Sequence, residues 1–170
     1  IQVWFWVVRR IFCELYKVKA SVHGFVPEKS VVTNAIAHRK KRYVLNIDLS
    51  DFFQTIHFGR VRGLFMGYPF NMGAKAATVV AQLCTHEKEL FQGSPCSPVL
   101  SNFIAADLDK KLTGLAKRYN VTYTRYADDI TFSTSKKTFP RSLAHWDGDN
   151  PVTNPISLGN LLVETIASAG

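Results

Sequence analysis

The stretch Tyr126-Ala127-Asp128-Asp129 stands between two runs typical of β-strands, Val121 to Arg125 before it and Ile130 to Thr134 after it. The second run alternates apolar and polar residues with the period of two that a strand requires. This arrangement predicts a β-hairpin with two adjacent carboxylates, Asp128 and Asp129, at its tip. Two such charges about 4 Å apart repel by about 4 kcal/mol at an effective dielectric constant of about 20, so we expect a cation, magnesium first, beside them.

A third carboxylate, Asp48, ends another strand-like run. The run alternates, which predicts one face with Tyr43, Leu45, Ile47 and Leu49 and the other with Val44, Asn46 and Asp48. If this strand lies beside the hairpin, the three aspartates meet, and carboxylates from separate strands can hold the two magnesium ions of a phosphoryl-transfer site. Two simpler alternatives stay open, because adjacent aspartates are good turn formers and Asp48 could merely end its strand.

Helical periodicity is expected on both sides of the first strand. The apolar start of the chain predicts a packed helix that continues to about Ala20, and Ser30 is expected to cap a short second helix. Asn71 is expected to cap a further helix over about 72–86. These segments predict helices that back the sheet.

The second half of the chain contains one more long helical pattern. Ser97-Pro98 predicts its start, with a capping serine and proline at the first helical position, and its apolar stripe runs to Leu115. Residues 135–157 have no clear period and are expected to form a long surface loop before a final helix. The order of elements predicts an α+β fold, in which helices back an antiparallel sheet that carries the hairpin.

Charge and composition indicate a nucleic-acid partner. The 170 residues, 46% of them hydrophobic, are enough for one domain with a single core, and the net charge of +8 with a pI near 9.5 favours a polyanion. The densest basic run, residues 38–42, comes immediately before the strand that leads to Asp48. Such a run is more often a solvated face than a binding site, so its position is what favours binding.

No membrane or secreted setting is expected. The opening apolar run is too short to span a bilayer and its basic pair, Arg9-Arg10, follows it rather than precedes it. Three widely spaced cysteines predict neither a disulfide framework nor a metal knuckle, which favours a reducing cytosol. Both ends of the chain look cut, because it starts without methionine and stops where a helix reaches Gly170.

Three segments resemble, in order and spacing, the three palm motifs of reverse transcriptases. They are Asn46 to Phe53, Gln92 to Pro98 and Tyr126 to Asp129. The segment His23-Gly24-Phe25 with Asn34-Ala35-Ile36-Ala37-His38 further resembles bacterial retron reverse transcriptases.

The resemblance covers about residues 20–134 and implies a polymerase palm with part of the fingers. Residues 1–42 are expected to be partial fingers with a retron-like region, and residues 43–170 the palm. The remaining fingers and the thumb would lie outside these residues, so we expect the 170-residue piece alone to polymerise poorly.

The resemblance also implies roles for the acids and their neighbours. Asp48 and Asp128 would bind both magnesium ions, Asp129 would assist, and the Leu49 carbonyl would complete one coordination sphere. The nucleotide site would comprise Leu49, Ser50, Asp51, Phe52, Phe53 and Gln92. Phe53 falls at the aromatic gate that would clash with a ribose 2′-hydroxyl, and Phe52 at a core position, unless the two exchange roles.

Nucleic-acid contacts are implied at a second group of positions. Gly93 and Ser94 would lie against the templating base, and Tyr126 would contact the primer end unless it only packs in its strand. Asn34 and His38, four residues apart on one helical face, would contribute to a retron-specific surface for structured RNA, unless His38 is a satisfied structural histidine. The basic run next to them is Arg39, Lys40, Lys41 and Arg42.

One position departs from the family pattern. The family has Leu-Pro-Gln-Gly where this chain has Leu90-Phe91-Gln92-Gly93. The loss of proline frees the backbone torsion ahead of Gln92, which affects the geometry of the nucleotide pocket.

The resulting hypothesis is a retron-type RNA-directed DNA polymerase that copies a structured RNA with two Mg²⁺ ions and deoxynucleoside triphosphates, and that holds an RNA–DNA duplex. Alternatives are another bacterial reverse transcriptase of group II intron or abortive-infection type, an inactive nucleic-acid-binding module, and a palm-fold nucleotide cyclase. A cyclase would leave the Gln92 to Pro95 segment without a purpose. The cognate RNA, any effector protein and a role in antiviral defence stay open.

Overall fold

A three-stranded antiparallel sheet and eight helices make up most of the computed structural model, which describes residues 2–91, 93–148 and 154–169, with side chains from residue 9 onward. The helices are α1 (Gln2–Leu15), α2 (Val31–Ala37), α3 (Phe52–Thr55), α4 (Phe58–Met66), α5 (Ala74–Cys84), α6 (Ser97–Ile104), α7 (Ala106–Tyr119) and α8 (Asn160–Ala167). The strands are β1 (Tyr43–Asp48), β2 (Thr85–His86), β3 (Glu89–Leu90), β4 (Thr122–Tyr126), β5 (Asp129–Thr134), β6 (Ala144–Trp146) and β7 (Ile156–Leu158). No helix in these ranges is long and apolar enough to cross a membrane.

The central sheet has the strand order β1-β5-β4, with both pairs antiparallel. β4 and β5 form the predicted hairpin, whose loop consists of Ala127 and Asp128. β1 lies beside β5, so that Asp48 stands directly opposite Asp129. The strand order that the sequence left conditional is therefore present, and it pairs Asp48 with Asp129.

The two faces of the sheet differ in chemistry, as the alternation predicts. Residues paired across strands share a face. One face is mainly apolar and includes Leu45, Phe132 and Tyr123, which are buried in one cluster with residues of α7 and α8. The opposite face is called the acid face here, and it comprises Val44, Asn46, Asp48, Thr122, Thr124, Tyr126, Asp129, Thr131 and Ser133.

A break in the long helical pattern of the second half separates two hydrophobic clusters. The chain leaves helical torsion at Ala105 (ψ 1°), which divides the predicted single helix into α6 and α7. Leu100 on α6 packs into the cluster formed with α1, α4 and α5, whereas Leu112 on α7 packs under the sheet. Because of this bend, the apolar residues of α6 and those of α7 pack into two different hydrophobic clusters.

Helix starts and ends were the weakest sequence predictions. The first helix ends at Leu15 rather than near Ala20. The predicted cap at Asn71 is wrong, since Asn71 has a left-handed φ of 47° and α5 begins after Gly73. For α6 the N-cap is Cys96 rather than Ser97. Ser30 does cap α2, in a capping box with Thr33.

The segment expected to be a surface loop is more ordered than its composition suggests. Within its described part, β6 pairs with β7, and Phe139 and Leu143 are buried in the cluster under the sheet. The sequence pattern did not reveal these strands, because a three-residue strand shows barely one period and the few apolar residues are separated by prolines and asparagines. The helices α3 and α4 were not predicted either. α3 has only four residues, which is about one helical turn, and α4 contains Gly59 and Gly63, which have low helix propensity.

Gly24 packs against the tip of the β4–β5 hairpin. A Cβ at this position would overlap the backbone nitrogen of Ala127 and lie 3.1 Å from the carbonyl carbon of Tyr126. We expect Gly24→Ala to destabilise the protein by about 1–3 kcal/mol, because backbone atoms cannot yield as a side chain can. The matched control is Gly63→Ala in α4, where a Cβ meets nothing within 4 Å and should stabilise by up to about 1 kcal/mol. Urea unfolding of both variants measures the difference, and equal effects would contradict this packing.

Candidate active site

Backbone pairing brings the three predicted aspartates to one end of the sheet. Asp48 is the last residue of β1 and is exposed, Asp129 is the first residue of β5 and is half-buried, and Asp128 occupies the hairpin loop between β4 and β5. The Leu49 amide donates a hydrogen bond to the Asp128 carbonyl (3.2 Å), which ties the strand end to the loop. Main-chain bonds from two separate segments therefore place the three residues at the same end of the sheet.

The charge at this end of the sheet is uncompensated within the described residues. No described lysine or arginine forms an ion pair with Asp48, Asp128 or Asp129, and the nearest polar link is a long hydrogen bond from the Asn46 amide to Asp129 Oδ1 (3.5 Å). Adjacent like charges without a basic partner favour an added cation.

The chemistry of these ligands suits magnesium. In the part of the chain that the structure describes, no group of three or more His, Cys, Asp or Glu side chains is close enough to hold a metal ion by itself. Magnesium is commonly bound by one or two carboxylates together with water and substrate phosphates rather than by an all-protein cage. The pair of facing strand ends therefore fits a magnesium ion that takes its remaining ligands from water or phosphate oxygens.

The two neighbouring phenylalanines at the start of α3 have different surroundings. Phe52 is buried in the cluster around α4 and α6, so it has the core role. Phe53 is only partly buried, and its ring makes edge contacts with Phe52 (5.5 Å between centroids) and Phe25 (6.3 Å). Asp51 precedes them with a left-handed φ of 51°, and it and Ser50 are exposed. Phe53 is thus held against other rings at the edge of the apolar cluster.

The described residues of the second motif are a short turn, 93–96, and the first two residues of α6, Ser97 and Pro98. Gln92, for which the family resemblance implies a contact with the nucleotide, lies outside the described residues. Gly93 has a φ of 97°, which favours glycine, and Ser94 is buried and accepts a hydrogen bond from the Cys96 amide (3.4 Å). Phe91 is half-exposed and stands edge-on to His86 (5.7 Å). The residue in place of the family's proline therefore points partly to solvent.

Tyr126 lies on the acid face directly opposite Asp129 and is half-buried. This position places it beside the aspartates, although its contact with a primer stays a prediction.

Asn34 and His38 also meet the acid face, through the packing of α2 on β4. His38 is buried and both ring nitrogens are bonded, to Ser133 Oγ (2.7 Å) and Thr124 Oγ1 (2.7 Å). The Thr124 hydroxyl in turn donates to Asn34 Oδ1 (2.5 Å). This packing supports the structural alternative for His38, and its contact with RNA stays a prediction. The four exposed or half-exposed basic residues that follow are Arg39, Lys40, Lys41 and Arg42.

Burial lowers the pKa of His38 to about 4, with smaller contributions from the nearby charges of His23 and Lys41. Since the pKa is depressed on folding, the neutral ring stabilises the fold above the unfolded value of 6.5, and this contribution is lost as the pH falls towards 4. We expect His38→Gln to lower stability at pH 7.5 and to flatten the dependence of stability on pH between 6.5 and 4. Urea unfolding across this range, with exposed His145→Gln as the control, checks it. An equally steep profile for His38→Gln would contradict it.

A buried ion pair under the hairpin was not predicted. Arg125 and Asp109 are both fully buried, with Arg125 Nε 2.8 Å from Asp109 Oδ1. A sequence signal existed, because Arg125 occupies an inward position of its strand and Asp109 sits in the buried stripe with Leu112. Two opposite charges at inward positions of neighbouring elements are expected to pair.

Comparisons with known proteins agree with this geometry. The sequence profile described as reverse transcriptase (RNA-dependent DNA polymerase) matches residues 7–145. The retron Mx65 reverse transcriptase of Myxococcus xanthus is 42% identical over 132 residues, 68% of this chain and 31% of the relative. The retron Mx162 enzyme of the same organism is 36% identical over 154 residues, 80% of this chain and 31% of the relative. The retron Ec86 enzyme of Escherichia coli is 38% identical over 128 residues, 75% of this chain and 39% of the relative. The chain spans about a third of the length of these relatives.

Proposed function

Because the chain belongs to the reverse transcriptase family, we propose that it forms the palm and part of the fingers of a retron-type RNA-directed DNA polymerase. The proposal assigns residues 43–170 to the palm and residues 1–42 to the fingers and a retron-like region. The partners would be a structured RNA, the RNA–DNA duplex made from it, and deoxynucleoside triphosphates. The similarity to retron enzymes of two bacteria supports the retron type, and we place the protein in the bacterial cytoplasm.

One observation carries the proposal, the register that sets Asp48 opposite Asp129 at the hairpin tip. Asp48 and Asp128 would bind two magnesium ions with help from Asp129 and the Leu49 carbonyl. Bound magnesium supplies charge neutralisation during in-line displacement at a phosphate.

The neighbouring residues would select and orient the substrates. Phe53, held by Phe25 and Phe52, would exclude a ribose 2′-hydroxyl and so favour deoxynucleotides. The glycine backbone at Gly93 would allow close approach to the templating base, and Tyr126 would lie beside the primer end because it shares the acid face with Asp129.

Primer extension tests the function. The full-length protein, supplied with a structured RNA, Mg²⁺ and the four deoxynucleotides, should synthesise DNA complementary to the RNA. Chelation of Mg²⁺ should stop synthesis, and ribonucleotides should be used far less well. Nucleic-acid binding without any incorporation would instead favour the inactive-module alternative.

A further inference from the structure

The loop that carries Asp128 has an unusual backbone. Ala127 has a φ of 56°, at the first position of a two-residue hairpin loop, where glycine is usually found. An alanine in this region is strained, and such a conformation persists only where the surroundings hold it. The contacts around Ala127 therefore have to maintain this conformation.

Both carbonyls of the loop are bonded. The Asp128 carbonyl accepts from the Leu49 amide (3.2 Å), and the Ala127 carbonyl accepts from Nη1 of Arg125 (2.7 Å). Gly24 closes the other side, since its α-carbon leaves no room for a side chain against the Ala127 nitrogen. The loop is thus clamped from three directions, and Arg125 is the only one of the three that acts through a side chain.

The guanidinium of Arg125 is itself held on every nitrogen. Nε donates to Asp109 Oδ1 (2.8 Å) and Nη2 donates to Asp109 Oδ2 (2.9 Å) and to Asn102 Oδ1 (3.0 Å). Asp109 Oδ1 also accepts from the Tyr123 hydroxyl (2.8 Å). The Asp109 carboxylate raises the pKa of Arg125 against the opposing effect of burial.

Asn102 extends these contacts to the glycine side of the loop. Its Nδ2 donates to the Gly24 carbonyl (3.0 Å) while its Oδ1 accepts from Arg125. Asn102 lies on α6, the helix that follows the second motif, and Asp109 lies on α7. The loop that carries Asp128 is therefore tied through one buried guanidinium to α6, whose first residues belong to the second motif.

We propose that Arg125 is a positioning residue, whose guanidinium fixes the Ala127–Asp128 peptide so that the carboxylates at the hairpin tip keep the orientation needed for metal and nucleotide. This inference rests on the proposed polymerase function. A lysine could keep one ionic contact with Asp109, but it lacks the planar fork that reaches Asp109, Asn102 and the Ala127 carbonyl together.

The test uses Arg125→Lys in the full-length protein. We expect kcat to fall by about 10- to 100-fold and the Mg²⁺ concentration for half-maximal rate to rise, as is typical when a residue that orients metal ligands is changed. Amide hydrogen exchange at residues 127–130 should accelerate while exchange in α5 stays unchanged. Wild-type kcat together with unchanged exchange would overturn the proposal.

A second substitution separates positioning from general stabilisation. Glycine adopts a positive φ without strain, so Ala127→Gly should restore part of the lost kcat in the Arg125→Lys background and give no such gain alone. If Ala127→Gly changes kcat by the same factor in both backgrounds, Arg125 is only a structural residue.

If Arg125→Lys does not fold, a variant that removes the buried charges altogether provides the test. The combination Tyr123→Phe, Asp109→Leu and Arg125→Met replaces the polar groups with apolar ones of similar volume, an exchange that buried ion pairs often tolerate. It should fold, lose kcat and show faster exchange at residues 127–130, and normal values of both would overturn the proposal. An inactive wild-type protein would refute the polymerase function instead, and the exchange measurement would still test the clamp.

Discussion

Asp128→Asn in the full-length protein should abolish DNA synthesis and leave RNA binding intact. The substitution keeps the shape of the side chain but removes the negative charge at the tip of the β4–β5 hairpin. A metal ion supplies several kcal/mol of transition-state stabilisation, so loss of one of its carboxylates should lower kcat by about 1,000-fold or more. Primer extension with saturating RNA measures kcat, and a filter-binding titration measures the affinity for RNA.

The matched control is Asp107→Asn, the same chemical change at an exposed acid in the first turn of α7. Asp107 pairs with Lys111 (2.9 Å) on the same helix, and this variant should synthesise DNA at nearly the wild-type rate. Retained synthesis by Asp128→Asn would refute the role of Asp128 in metal binding. Loss of RNA binding along with synthesis would show that the change disturbs the fold rather than the chemistry.

Asp109→Ala should cause the largest loss of stability. The substitution leaves the guanidinium of Arg125 buried without its carboxylate and also removes the acceptor of the Tyr123 hydroxyl. Breaking a buried ion pair from one side costs about 3–5 kcal/mol, a large part of the total stability of a domain. Urea unfolding followed by circular dichroism gives the free energy of unfolding.

The control is again a change at Asp107, here Asp107→Ala, two residues before Asp109 in α7. Its ion pair is exposed and screened by water, so the loss should be below about 1 kcal/mol. Similar losses for the two variants would mean that the Arg125–Asp109 pair contributes no more than a surface pair. A near-normal stability for the apolar triple replacement would show that the loss in Asp109→Ala comes from the unpaired charge.

Local pattern was enough to predict the elements that carry the chemistry. A strand has a period of two, which is visible within a few residues. The alternation in β1 and β5 was therefore enough to predict both strands and the acids at their ends. The α+β class and antiparallel sheet were predicted correctly because each strand is bounded by clear breaks. The same reasoning failed at Asn71 and in residues 135–157, where caps and three-residue strands depend on contacts with distant segments.

In the candidate site too, some features were predicted from local sequence and others depended on packing between distant segments. The acids at 48, 128 and 129 were proposed as site residues from the sequence, and the pairing of Asp48 with Asp129 was conditional on a strand order that no local pattern specifies. The core role of Phe52 was decided by its packing between α4 and α6. His38 was assigned to a surface from its motif, yet the ring is buried between two hydroxyls of the sheet.

By itself, the amino-acid sequence determined which residues share a face, which segments are strands, and which family these motifs resemble. The tertiary structure alone decided that β1 lies beside β5, that α2 covers part of the acid face, and that Arg125 meets Asp109 beneath the Ala127 carbonyl. The reason is physical. The period of a helix or strand reports the direction in which a side chain points, whereas the partner it meets depends on elements tens of residues away.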